Sequence, residues 1–250
     1  MAFKILSVVG TRPNFMKIAA LADEFKKQKI DHVLVHTGQH YAKEMSTLFF
    51  DELGIPKPDI NLDIGSGSYG IQMGQIMQAF EPILQKHKPD LVLVVGDVNS
   101  TVAAALVAKQ NKFRVAHVEA GLRSFDWDMP EEINRVVTDT ISDYLFTTEK
   151  NAQKNLENEG IDPKKIFFVG NVMIDTLLKH KKSAQKSAVH KKLGIKKGNY
   201  ALITLHRPSN VDTKEMLSKL IEMVSNISKK IPIVFPVHPR TRKNISSFNL

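Results

Sequence analysis

Short, continuous apolar runs alternate with longer stretches of helical period over the first 182 residues. The runs are residues 3–9 (FKILSVV), 31–36 (DHVLVH), 91–95 (LVLVV), 114–118 (RVAHV), 144–147 (YLFT) and 166–169 (IFFV). Runs of this kind fit strands buried on both faces of a parallel sheet. Between them the spacing predicts a helix from about Asn14, with Phe15, Ile18, Ala19, Leu21, Ala22 and Phe25 on one face, and further helices over 43–53, 69–87, 99–110 and 149–159. Others begin at Pro130 and near Met173, and Gly74 and Pro82 are expected to bend the 69–87 helix. Such alternation predicts an α/β fold with a doubly wound parallel sheet, Rossmann-like. After a loosely patterned basic stretch the alternation resumes with strands at 200–204 and 231–237 around a helix at 213–229. The expected organisation is therefore a Rossmann-like domain over 1–182, a basic linker over 183–199, and the start of a second Rossmann-like domain over 200–250. About fifty residues do not close a doubly wound domain, so the second is expected to be incomplete at Leu250.

Composition narrows the function classes. The 250 residues carry a net charge of +9, with 42% hydrophobic and 24% charged residues, ordinary values for a globular protein. The excess is local: no acidic residue falls between Thr176 and Val211, while eight lysines lie between Lys179 and Lys197. No aromatic residue interleaves with those lysines and no nucleic-acid motif accompanies them, so the stretch reads as a solvated linker with a general attraction for anions, not a nucleic-acid site. The chain has no cysteine, which removes disulfides, thiolate nucleophiles and cysteine metal sites. No stretch approaches the ~18 apolar residues of a membrane span and no signal sequence is visible. A cytoplasmic protein without membrane or nucleic-acid partners is the expectation.

Candidate chemistry gathers where the predicted strands end. In open α/β sheets ligands bind outside the carboxyl ends of the strands. The first strand runs into Gly10-Thr-Arg-Pro13 and a helix start, with Arg12 in the turn and Lys17 one helical turn on, an arrangement suited to a phosphate. The second ends at Gly38-Gln39-His40, the third at Gly96-Asp97, and the fourth at Glu119, followed by Gly121, Arg123 and a helix opening Pro130-Glu131-Glu132 with Asn134 and Arg135. Gly65-Ser-Gly-Ser-Tyr-Gly70 matches G-x-G-x-x-G in form, but a polar segment precedes it, so it reads as a loop capping a helix. Asp126-Trp-Asp128 is a weak metal motif in a loop, and neither a zinc-protease signature nor a serine nucleophile elbow is present. What remains is a set of carboxylates (Asp97, Glu119, Glu131) for proton transfer and cations (Arg12, Lys17, Arg135, His206) for a phosphorylated leaving group. No metal or cofactor is implied.

Seven motifs occur in one order: Gly10-Thr-Arg-Pro with Lys17, Gly38-Gln-His40, Gly96-Asp97, Glu119-Ala-Gly-Leu-Arg-Ser124, Pro130-Glu-Glu-x-Asn-Arg135, Thr204-Leu-His-Arg207 and Pro236-Val-His-Pro239. Together they resemble the non-hydrolysing UDP-N-acetylglucosamine 2-epimerases. The resemblance implies a GT-B-like pair of domains, a UDP-sugar held between them, a homodimer formed through the first domain, and interconversion of UDP-N-acetylglucosamine with UDP-N-acetylmannosamine. No carbonyl neighbours C2 to acidify its proton; loss of UDP from C1 would do so, giving a glycal to which UDP returns after protonation on the other face. By the same resemblance Asp97, Glu119 and Glu131 are the acid and base candidates, with His206 beside them as a catalytic candidate. Arg12, Lys17, Arg135, Arg207 and His238 are expected to hold substrate, and Gln39 and His40 are expected in substrate binding or activation. The pattern departs at Asn14, where an acidic residue is common, at Pro208-Ser209, and at Ala42. Members usually extend further and carry later uridine-binding segments, so the chain as it stands is expected to bind UDP-sugar poorly. A hydrolysing 2-epimerase, a GT-B glycosyltransferase and a non-enzymatic nucleotide-sugar sensor remain the competing readings.

Overall fold

Seven strands pair in parallel in the order β3-β2-β1-β4-β5-β6-β7. A computed structural model describes residues 3–38 and 57–250. The strands are β1 (Lys4–Val9), β2 (Asp31–His36), β3 (Ile60–Asn61), β4 (Leu91–Val95), β5 (Val115–Ala120), β6 (Tyr144–Thr147) and β7 (Ile166–Phe168). Between and after them run α1 (Arg12–Lys27), α2 (Tyr69–His87), α3 (Asn99–Gln110), α4 (Pro130–Ile141), α5 (Lys150–Asn158) and α6 (Val172–Lys186). From β1 the chain winds outward through β2 and β3. It then crosses back to β4 and winds the other way. The switch point between β1 and β4 is where such sheets open a crevice at the strand ends.

Alternation along β1 shows why the runs are continuously apolar. Leu6 and Val8 join Val92, Val94, Phe80, Leu84 and Ala104 on one face, while Ile5 and Val9 join Leu93, Val95, Phe15 and Ile18 on the other. Both faces are covered by helices, so both parities of residue must be apolar. Small residues on α3, Ala103, Ala104, Ala105 and Ala108, are fully buried and allow close approach to the sheet. Register then follows: Val8 lies opposite Val35 of β2 and Val94 of β4.

The contacts divide the chain into one unit of Met1–Lys181 and another of Lys182–Leu250. The second unit contains α7 (Val189–Lys192), β8 (Ala201–Leu202), α8 (Pro208–Val211), α9 (Lys214–Ser228), β9 (Ile233–Val234) and α10 (Pro239–Phe248), with β8 and β9 paired in parallel. Several expectations shift. The stretch read as linker begins inside α6 and includes α7, in keeping with the good helix propensity of lysine. Residues 208–211 and 239–248, for which no helix was expected, are helices, each with proline at its first position, where its missing N–H costs nothing. The two strands of this unit are shorter than expected. Helix α1 starts at Arg12, two residues earlier than its apolar face indicates. The helix expected over 43–53 lies outside the described residues. Among the described residues no helix is long and apolar enough to cross a membrane.

Gly121, just past β5, is the tightest point of the unit. Its φ is +79°, and a Cβ there would sit 2.3 Å from the carbonyl oxygen of Ala152 and 2.9 Å from Leu156 Cγ. Gly160 has the same φ of +79° but open space around it. Gly121→Ala is therefore expected to cost on the order of 3 kcal/mol, against about 1 kcal/mol for Gly160→Ala. Urea unfolding midpoints of the two variants check this, and equal midpoints would refute the close approach.

Candidate active site

The site is built on the ends of β1, β4 and β5. After β1 the chain turns into α1 through Gly10 and Thr11, and Asn14 holds that turn. Its Oδ1 accepts from the backbone N–H groups of Gly10 (3.1 Å) and Thr11 (3.0 Å) and from the Thr11 hydroxyl (3.1 Å). Its Nδ2 donates to the Val95 carbonyl at the end of β4, 2.9 Å away. An amide supplies donor and acceptor together, which a carboxylate cannot do when ionised. One turn further on, Lys17 is buried, and its Nζ lies 2.7 Å from Oε2 of Glu119. A buried ammonium needs such a partner to offset its lost hydration.

Glu119 is positioned by an irregularity in β5. Pairing with β6 slips in register between Val118 and Ala120, and Glu119 adopts φ +74°. A bulge of this kind re-aims one side chain while the strand continues. Here the strand runs on through Glu119 to Ala120, two residues beyond the expected end.

Asp97 follows β4 and faces Arg135 of α4. Both Nε (3.0 Å) and Nη2 (2.6 Å) of Arg135 donate to Asp97 Oδ2, while Nη1 donates to Glu132 Oε2 at 2.7 Å. Asn134 donates from Nδ2 to the Asp97 carbonyl (2.9 Å), so two consecutive residues of α4 grip the residue that ends β4. Burial lowers the proton affinity of the Arg135 guanidinium, but Asp97 and Glu132 outweigh that and raise it above its ordinary value. Asp97 is thus held by an arginine; it does not cap α3, whose first-turn hydroxyl of Thr101 bonds back to the Val95 carbonyl instead.

Glu132, 1% exposed, was not among the residues singled out by sequence. It accepts from the backbone N–H and hydroxyl of Ser124, both at 2.9 Å, and from the N–H of Phe125 at 3.0 Å, fixing the loop between β5 and α4. Burial pushes its carboxyl pKa up, but those donors and Arg135 more than reverse this and hold it down at about 2. An acid at the third position of a proline-opened helix was the available signal. The polar His117 inside an otherwise apolar run was another: fully buried, it bonds Asp139 of α4 at 2.6 Å.

The remaining expected residues fall as follows. Arg12 is exposed at the first position of α1. Glu131 is half-buried in the first turn of α4, and no hydrogen bond or ion pair engages its carboxylate among the described residues. His206 and His238 both belong to the second unit, where their rings lie 5.7 Å apart, and Arg207 stands just before α8. Gln39 and His40 lie outside the described residues. Of the expected groups of the first unit, the structure pairs Lys17 with Glu119 and Arg135 with Asp97, while Glu131 joins neither pair.

Known proteins resemble this chain over nearly its whole length. The family model described as UDP-N-acetylglucosamine 2-epimerase matches residues 23–249. A Methanococcus maripaludis protein named UDP-N-acetylglucosamine 2-epimerase homolog is 50% identical over 99% of this chain and 69% of its own length. A Pseudomonas aeruginosa protein named UDP-2,3-diacetamido-2,3-dideoxy-D-glucuronate 2-epimerase is 43% identical over 99% of this chain and 70% of its own. Among solved structures, Methanocaldococcus jannaschii UDP-GlcNAc 2-epimerase in complex with UDP-GlcNAc and UDP superposes with a TM-score of 0.90 at 46% identity, over 99% of this chain and 69% of that one.

Glu132 makes the stability of the first unit depend on pH. Its folded pKa of about 2 lies below the ordinary carboxylate value, so its contribution is complete above about pH 4.5 and is lost as pH falls toward 2. Glu132→Gln is expected to destabilise by about 3 kcal/mol at pH 7, with the deficit shrinking between about pH 4.5 and 2. Paired urea titrations at pH 7 and pH 3.5 check the sign; a deficit that grows on acidification contradicts it.

Proposed function

This chain belongs to the UDP-N-acetylglucosamine 2-epimerase family, and we propose that it interconverts UDP-N-acetylglucosamine and UDP-N-acetylmannosamine by eliminating and re-adding UDP. The observation that carries this reading is the placement of Asp97 and Glu119 at the ends of neighbouring parallel strands, each against a cation. Inverting C2 requires a proton to leave one face and return on the other. A carboxylate takes the C2 proton as the C1–O bond breaks, and the electron pair of that bond departs with UDP. The 2-acetamidoglucal is then protonated at C2 on the opposite face while a phosphate oxygen of UDP bonds C1 again. Electrons and atoms balance, and no redox cofactor is needed.

Asp97, Glu119 and Glu131 are the proposed acid and base groups, and His206 is a further proposed catalytic residue. Arg12, Lys17, Arg135, Arg207 and His238 are the proposed holders of the UDP-sugar, and Gln39 and His40 complete the set. Glu131, with no partner among the described residues, can accept a proton directly. Asp97 and Glu119 are each engaged by a cation. An arriving diphosphate competes for Lys17 and Arg135. Each cation that turns toward phosphate frees a carboxylate oxygen to meet the substrate's proton, which couples substrate binding to readiness for proton transfer.

A second sugar has a specific observation behind it. The Pseudomonas aeruginosa relative at 43% identity is named for UDP-2,3-diacetamido-2,3-dideoxy-D-glucuronate. The elimination acts at C1 and C2 alone, so both sugars suit the same proton chemistry.

In D2O, the full-length protein is expected to incorporate deuterium at C2 of UDP-N-acetylglucosamine while UDP-N-acetylmannosamine accumulates. Asp97→Asn, Glu119→Gln and Glu131→Gln are each expected to slow exchange by roughly 100-fold or more. Release of free N-acetylmannosamine would point to a hydrolysing enzyme. An intact, unexchanged substrate, with exchange seen only for the diacetamido-glucuronate, would transfer the reading to that sugar.

A further inference from the structure

Beneath the two carboxylates lies a chain of buried groups that touches neither. His117 sits on β5, fully buried, with Nδ1 2.6 Å from Asp139 Oδ1 and Nε2 2.7 Å from the carbonyl oxygen of Gly96. Asp139 Oδ2 accepts from the backbone N–H of Gly121 (3.0 Å) and from Nη1 of Arg123 (2.7 Å). Arg123 in turn donates from Nε and Nη2 to the two oxygens of Glu159. The Gly121 carbonyl is taken by Nδ2 of Asn155 at 2.9 Å, and the Gly96 N–H donates to the Val118 carbonyl at 3.0 Å.

The acceptors decide the protonation of the ring. A carbonyl oxygen only accepts, so Nε2 carries a proton. Asp139 already receives two donors on one oxygen, one of them a guanidinium, and an ionised carboxylate only accepts as well. Nδ1 therefore carries the second proton, and His117 is an imidazolium. Burial alone would raise the Asp139 carboxyl pKa; the charges and hydrogen bonds of His117 and Arg123 prevail and hold it below its ordinary value. The four groups, Arg123, Asp139, His117 and Glu159, sum to zero charge.

Where this chain ends is the point. One end holds Gly96, the residue before Asp97. The other holds Gly121, two residues after Glu119. We propose that His117 is a positioning residue for the epimerisation: as a buried imidazolium bridging Gly96 and, through Asp139, Gly121, it fixes the spacing of the Asp97 and Glu119 backbones at the ends of the neighbouring strands β4 and β5. Its catalytic consequence rests on the reaction proposed above, whereas its protonation does not. Geometry of this kind matters because an error of about 1 Å in a catalytic group can cost on the order of 100-fold in rate.

The two amide substitutions separate the links. In His117→Asn the amide nitrogen replaces Nδ1, so the bond to Asp139 survives and the donor to Gly96 is lost. In His117→Gln the nitrogen replaces Nε2 and the Gly96 donor survives. His117→Asn is expected to lower kcat by about 100-fold with KM for the UDP-sugar within about 3-fold of wild type, and His117→Gln to recover kcat to within about 10-fold. Val107→Ala, a core variant on α3, gives the rate loss that destabilisation alone causes at a matched melting temperature. Ring 15N spectra of the wild-type protein at pH 8, assigned by the peaks missing in His117→Gln, are expected to show both His117 nitrogens bearing protons. One unprotonated ring nitrogen overturns the proposal, as does a kcat for His117→Asn no lower than that of Val107→Ala. A rise in KM at unchanged kcat does the same. If the wild-type protein shows no C2 exchange, the reaction is wrong and the ring spectrum still decides the bridge.

Discussion

Charge buried beneath the strand ends has to be answered by opposite charge, and this requirement organises the first unit. Removing an ion from water costs several kcal/mol, and only a close, well-aligned partner offsets it. Lys17 is answered by Glu119, Arg135 by Asp97 and Glu132 together, and Asp139 by His117 and Arg123. Apart from Arg135–Glu132 within α4, the pairs join elements far apart in sequence: α1 to β5, the end of β4 to α4, and β5 with the loop after it to α4. The pairs therefore act as registration marks. Sliding one element past another would strand a charge in a place where water cannot reach it.

Much of the first unit was legible in the sequence because its strands are covered on both sides. Continuous apolar runs such as residues 91–95 leave little choice of structure, and the helix at 69–87 was placed to the residue. The second unit was less legible. Its strands pair over only two residues each, and Pro208 and Pro239 open helices that the sequence reading did not include. A proline can end a helix as well as open one, and only the partners of the following N–H groups distinguish the two.

At the site, sequence identified which residues cluster but not how they pair. Strand-end placement was enough to single out Lys17, Asp97, Glu119 and Arg135. That the cations would engage those carboxylates depends on the register between β1, β4 and β5 and on a bulge at Glu119, neither of which has a local signature. Asn14 shows the same limit from the other side. Noted from sequence only as a departure from the family pattern, it serves three donors and one acceptor at the junction of β1 and β4. Polar residues inside apolar runs, His117 above all, carried more information than their single letters suggested, since burial obliges them to have partners.

The backbone of Glu119 has a consequence for how this protein can change. A non-glycine residue at φ +74° sits in a region that L side chains adopt at a cost of roughly 1 kcal/mol or more. Glycine at this position would relieve that cost, yet it would delete the carboxylate and leave Lys17 buried without its counter-ion. An unpaired buried ammonium costs several kcal/mol, more than the backbone gains, so stability as well as the proposed chemistry holds an acidic residue at position 119. A homologue with glycine at that position is therefore expected to carry an uncharged residue in place of Lys17.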